Sequence, residues 1–145
     1  MKSLNAALLS LALVMSIAAP AHADPRDLGD IMKDINAQAK VIKDQVADPT
    51  QNESTLELAK KMRGYIYEAE GTVPEDKILD QQFPDAAQRK LAPIRYQQAV
   101  ALLFVEAGNL EIALNQGDNA AAAASFAKIG KMQREGHTVF KPKEE

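Results

Sequence analysis

Apolar residues in this chain recur at intervals of three and four along four separate runs, and no stretch alternates with the period of two that a half-buried strand requires. The spacing therefore predicts an all-α protein. The first run, Leu28, Ile31, Met32, Ile35, Ala39, Ile42 and Val46, has Asp24 or Asp27 as its N-cap and Asp48-Pro49 as its stop, giving a helix over about 27–47. The second starts near Asn52 or Ser54 and passes through Leu58, Met62, Tyr65 and Ile66 to Ala69, with Gly71 and Pro74 beyond it, giving about 54–70. A loop from Gly71 to Pro84 follows, with room for a short turn at Lys77 to Asp80.

Asp85 then caps a long run through Leu91, Ile94, Val100, Leu103, Ala107, Leu110 and Leu114 that stops at Gln116-Gly117. Pro93 lies within it, so the helix either begins near that residue or is kinked there. A last helix, capped by Asp118 or Asn119, uses the alanines 120–124 and then Phe126, Ile129 and Gln133 to reach the neighbourhood of Gly136. Four helices joined by short connections close as an antiparallel up-down-up-down four-helix bundle. In that topology the start of the first helix lies beside the end of the last, and those two places hold Met32 and His137.

The segment ahead of these runs obeys a different pattern. Lys2 supplies a positive start, Ala6 to Ala19 is apolar, and Ala21-His22-Ala23 offers the small residues that a signal peptidase cuts after. The apolar stretch is shorter than the ~20 residues needed to span a bilayer. Residues 1–23 thus read as a removable secretory signal, and residues 24–145 as one domain bound for the periplasm. That domain carries 16 Lys and Arg against 20 Asp and Glu, a net charge near −4 that does not suit a nucleic-acid surface.

Cysteine is absent, so the domain must be stable from packing alone in an oxidising compartment. The same absence excludes thiolate metal sites, thiol nucleophiles and haem attached covalently through C-x-x-C-H. With His22 in the signal, His137 is the only histidine left, and Met32 stands with Met62 and Met132 as one of three methionines. No hydrolase constellation can be assembled from one histidine, and the chain does not read as an enzyme. His137 shares a helical face with Phe126, Ile129 and Gln133, which should point into the bundle. An imidazole on one side and a thioether on the other are a ligand pair for haem iron. The plainer alternative is that Met32 fills core space and His137 is an exposed residue near the chain end.

Several segments resemble the soluble periplasmic cytochromes b562: Asp27-Leu28 through Met32, Lys40-Val41-Ile42, Lys60-Lys61-Met62-Arg63, Thr72-Val73-Pro74, and the spacing from Gly117 to His137. The resemblance covers most of residues 24–145 and implies one non-covalent haem b with Met32 and His137 as its axial ligands. Tyr96 falls where the family has an aromatic residue lining the haem pocket, whereas Gly136 stands where the family usually has a bulky aromatic. Leu28, Ile31, Val100 and Ile129 are expected to complete the apolar walls. The implied role is electron transfer with a redox partner protein. The other reading left by the residues is a haem-free helical periplasmic protein of stress or chaperone-like binding function.

The three-zone start makes Asp24 the expected first residue of the exported protein. Mass spectrometry of the periplasmic fraction checks this, and a chain retaining Met1 would contradict it.

Overall fold

Aspartates open most of the helices, because a short carboxylate can accept the backbone N–H groups that a helix start leaves without partners. The computed structural model describes residues 26–141; the expected signal segment 1–23 and Asp24 fall within residues 1–25, which, with residues 142–145, lie outside the described residues. Asp27 accepts from Gly29 N–H at 2.8 Å and from Asp30 N–H at 3.3 Å and opens α1, Leu28–Gln45. Asp48 accepts from Thr50 N–H at 2.9 Å and opens a single 3₁₀ turn, Pro49–Gln51, which leads directly into α2, Asn52–Glu70. The loop expected after α2 contains a short helix, α3, over Asp76–Gln82. Asp85 and Asp118 each accept one N–H at 2.9 Å, from Gln88 and Ala121, and open α4, Ala86–Gln116, and α5, Asn119–Phe140.

The long helices α1, α2, α4 and α5 form the four-helix bundle, and no strand occurs among the described residues. Two expectations are corrected in detail. α4 does not begin near Pro93: it starts at Ala86 after the Asp85 cap and continues through the proline, whose missing N–H leaves the Arg89 carbonyl without its usual helical donor. α5 continues past Gly136 to Phe140, which places His137 in its last turn. Between α4 and α5 only Gly117 has positive φ, at 71°, and its N–H returns to the carbonyls of Ala113 and Leu114. Glycine reaches that left-handed conformation without the cost that a Cβ would add.

Close backbone packing joins α1 to α2, α2 to α4, and α4 to α5. The fourth seam differs, for α1 and α5 hardly approach each other and are linked by side chains such as Gln133 Nε2 donating to Asn36 Oδ1. Ile31, Ile35, Ile42, Met62, Ile66 and Leu110 form the fully buried centre. Leu91 and Ile94, which the periodicity of α4 assigns with the core run, are 48% and 53% exposed. The end of the bundle far from His137 is closed by Asn119, whose amide donates to the Val46 carbonyl at 3.0 Å and to Asn52 Oδ1 at 2.7 Å.

Leu110 is wholly buried, and with no disulfide in the chain its loss is not offset by a covalent link. Leu110→Ala should destabilise the fold by about 2–5 kcal/mol through lost transfer energy and the cavity left behind. Urea unfolding followed by circular dichroism measures this as a lower midpoint at unchanged slope.

Candidate functional site

The seam that α1 and α5 leave open contains a cavity of about 790 Å³. A volume in the range of 300–1,000 Å³ is that of pockets which bury organic ligands. Its walls come from α1 (Leu28, Met32, Ile35), from the α2–α3 connection (Thr72, Pro74), from α4 (Tyr96, Val100, Leu103) and from the end of α5 (Met132, His137, Phe140). Met32, Tyr96 and His137, the residues singled out from the sequence, all line this one space. Leu28 and Val100 are walls as expected, whereas Ile31 and Ile129 are turned into the neighbouring core, 1% and 2% exposed.

α1 brings Met32 to the cavity one turn in from the Asp27 cap, and α5 brings His137 from the opposite side of the open seam. The end of α5 is held by aromatic contacts. The Phe140 ring lies edge-on to Tyr96 with centroids 5.5 Å apart, and 6.0 Å from Phe83, beside Leu79 of α3. Gln82 Nε2 also donates to the Lys141 carbonyl at 2.9 Å, tying α3 to the turn that carries His137. Gly136 lines the cavity next to His137, with open space where a Cβ would stand.

Tyr96 lines the cavity with its hydroxyl engaged in hydrogen bonds. That hydroxyl donates to the Ala69 carbonyl at 3.1 Å and lies 3.1 Å from Thr72 Oγ1, so α4 is fastened to the end of α2. Burial raises the Tyr96 pKa, partly opposed by the Thr72 hydrogen bond, and the phenol stays protonated. Three features escaped the sequence reading: α3 as a wall-bearing helix, Phe140 as the clamp on α5, and Met132 as a second thioether in the cavity. Phe140 and Met132 do fall on the helical run of α5 once it is extended past Gly136, and that extension was the available signal.

The cavity has an apolar interior and a charged rim in which Arg26, Lys33 and Lys141 alternate with Asp27 and Glu75. Arg26 is paired with Asp34 and, at 2.9 Å, with Glu68, and Lys33 with Asp30 at 2.7 Å. Desolvation lowers the pKa of His137 from its ordinary 6.5, with the Lys141 charge acting in the same direction. The imidazole is therefore neutral at pH 7, the form with a lone pair to give a metal. Among the described residues no three His, Cys, Asp or Glu side chains come together to hold a bare metal ion, and no helix is long and apolar enough to cross a membrane. The walls instead suit a flat apolar group that brings its own metal: a large, mostly apolar space with one neutral imidazole and a thioether in its lining.

The family model described as cytochrome b562 matches residues 27–141, from the cap of α1 to the end of α5. No curated protein and no solved structure matches the chain.

The lowered pKa of His137 is directly measurable on the cofactor-free protein. Because the folded pKa lies below the unfolded value of about 6.5, the histidine contributes stability that is fully present above 6.5 and is lost as pH falls below it. An imidazole NMR titration should place the midpoint below that of an unfolded peptide, and a midpoint at or above 6.5 would contradict the desolvated placement.

Proposed function

The chain belongs to the cytochrome b562 family and is a haem-binding b-type cytochrome, and we propose that it works as a periplasmic electron carrier whose haem is held between Met32 and His137. The observation that carries this reading is that both residues wall one cavity from opposite sides of the only loosely packed seam of the bundle. Axial ligands must approach a haem from its two faces, so they have to come from opposing walls. Met132 also reaches the cavity, but from the same helix as His137, so it cannot face the imidazole across a plane. That geometry favours Met32 as the thioether.

The other parts of the site follow from their chemistry. Leu28, Ile35, Val100 and Leu103 supply a low-dielectric enclosure, which disfavours charge on a bound group and so tunes its potential. The cationic rim residues Arg26, Lys33 and Lys141 suit the carboxylates that a haem carries at one edge. When bound, haem iron takes up and releases one electron, and a thioether ligand favours its reduced state. A domain over residues 24–145, freed of a signal over 1–23, would carry a net charge near −4 and could guide a basic redox partner. The alternative of a haem-free stress or chaperone-like binder gains no support from the family match.

Haem titration followed by absorbance tests the ligand set. His137→Ala should remove most of the affinity, since imidazole is the stronger ligand. Met32→Ala should still bind, more weakly, with the ferrous spectrum changed from low-spin to high-spin and a lower potential. Met132→Ala should keep the parent spectrum. A ligand that binds only the folded state raises its melting temperature, so haem should stabilise the parent and the Met132 variant far more than the His137 variant. Loss of the low-spin spectrum in Met132→Ala and its retention in Met32→Ala would reverse the assignment.

A further inference from the structure

The outer surface of α4 is apolar along almost its whole length. Leu91, Ile94, Leu102, Val105 and Ile112 are large aliphatic residues that are 48–62% exposed. Ala87, Leu91, Ile94, Gln98, Val105, Asn109 and Ile112 lie opposite the buried face of α4 and carry no charge, and the exposed Lys90 and Arg95 flank them in the first half of the helix. A solvated helix face ordinarily carries charged side chains, so a stripe of this kind marks a surface that is covered in use. The stripe turns away from the haem cavity: α4 packs on α2 and α5, and α1 lies across the bundle.

The spacing within the stripe says what covers it. Leu91, Gln98, Val105 and Ile112 are seven residues apart, and so are Ala87, Ile94, Ala101 and Gly108, which are the two seams of a helix that packs against another helix. Gly108 is otherwise unexplained. It sits inside a helix at a cost of about 1 kcal/mol relative to alanine, and a Cβ built on it would meet nothing within 4 Å, so nothing in its own chain requires a glycine.

We propose that α4 pairs antiparallel with α4 of a second copy of this chain. In one register Leu91 meets the partner's Gly108, Ile94 meets the partner's Val105, Ala87 meets the partner's Ile112, and Gln98 meets the partner's Ala101. The register thus sets large residues against small or medium ones at every layer. Gln98, alone among these positions in carrying a polar amide, lies near the two-fold axis, where such a residue fixes register.

The charges agree with this direction. Every basic residue of α4, Arg89, Lys90 and Arg95, lies in its first half, and both acidic ones, Glu106 and Glu111, lie in its second half. Antiparallel pairing keeps the exposed Lys90 and Arg95 of the two copies at opposite ends of the seam, whereas parallel pairing would set them side by side; Glu106 and Glu111 are engaged within the chain by Lys128 and Arg63. A lipid surface fits less well, because membrane-lying helices flank their apolar face with Lys and Arg along its length. A strongly charged protein partner would find no complement on the stripe. The paired stripes, about 38 Å long and about 10 Å wide, bury on the order of 800 Å² in total with their flanks excluded, the size of a reversible dimer rather than a permanent one.

Sedimentation equilibrium on the processed, haem-loaded protein from about 1 µM to about 1 mM should show a monomer–dimer equilibrium with a midpoint on the order of tens to hundreds of micromolar. Val105→Glu should raise that midpoint at least about tenfold while leaving the Soret band and the helical circular dichroism unchanged. Gly108→Met should leave the melting temperature of the dilute monomer equal or higher, since methionine is the better helix former, yet weaken dimerisation by a similar factor. A protein that stays monomeric to 1 mM, a dimer indifferent to both substitutions, or co-sedimentation of the parent with vesicles of phosphatidylethanolamine and phosphatidylglycerol in place of self-association would each overturn the proposal.

Discussion

The contact between Phe140 and the aromatic rings of Tyr96 and Phe83 determines whether this bundle has a usable cavity. A four-helix bundle gains most by closing all of its seams, because each closed seam removes apolar area from water at roughly 25 cal/mol per Å². Here three seams are closed and the fourth, between α1 and α5, is not. The last turn of α5 is instead drawn towards α3 and the start of α4, where Phe140 stacks near Phe83 and meets the edge of Tyr96. Anchored on that side, α5 can hold His137 at the cavity without collapsing onto α1. Tyr96 extends the same bracing to α2 through the Ala69 carbonyl.

The opposite end of the molecule shows what an unopened seam looks like. Asn119 reaches both the end of α1 and the beginning of α2, satisfying a carbonyl and an amide oxygen in one residue. Partway along, Arg63 of α2 meets Glu111 of α4 through two hydrogen bonds, Nε to Oε1 at 2.5 Å and Nη2 to Oε2 at 3.2 Å, with its guanidinium 5.2 Å over the Phe104 ring. Fork-to-carboxylate geometry fixes the rotation of one helix against another more firmly than a lysine would. These polar ties set the bundle geometry from one end, so the cavity end can remain open without loosening the whole fold.

Much of this was legible in the sequence because it is local. The Asp27, Asp85 and Asp118 caps, the Gly117 turn and the helical periods are decided within a few residues, and Met32 and His137 could be brought together from topology alone. Three features were not local. α3 has seven residues, too few to be stable as an isolated helix, and it exists because Leu79 and the adjoining Phe83 are buried against Ala92 and Phe140. α4 carries apolar residues on its outer side as well, so periodicity could not separate the face of Val100 and Leu110 from that of Leu91 and Ile94. The end of α5 was drawn short at Gly136 because glycine is a poor helix former, a preference that the packing of Phe140 overrides.

The proposed ligand pair also bears on how binding and folding are linked. Met32 and His137 sit near opposite ends of the described chain, on two helices with little backbone contact between them. A haem held by both would bridge the seam that the polypeptide leaves open and would close a loop containing nearly the whole domain. Few conformations of an unfolded chain place two residues so distant in sequence on either side of one plane, since the entropy of closing a loop grows with its length. Haem held by both residues would therefore bind the folded protein alone, and its binding energy would add to the stability of the fold by mass action. A chain without cysteines has no covalent means of restraining its ends. A haem held by Met32 and His137 would supply that restraint, at the seam where close helix packing does not.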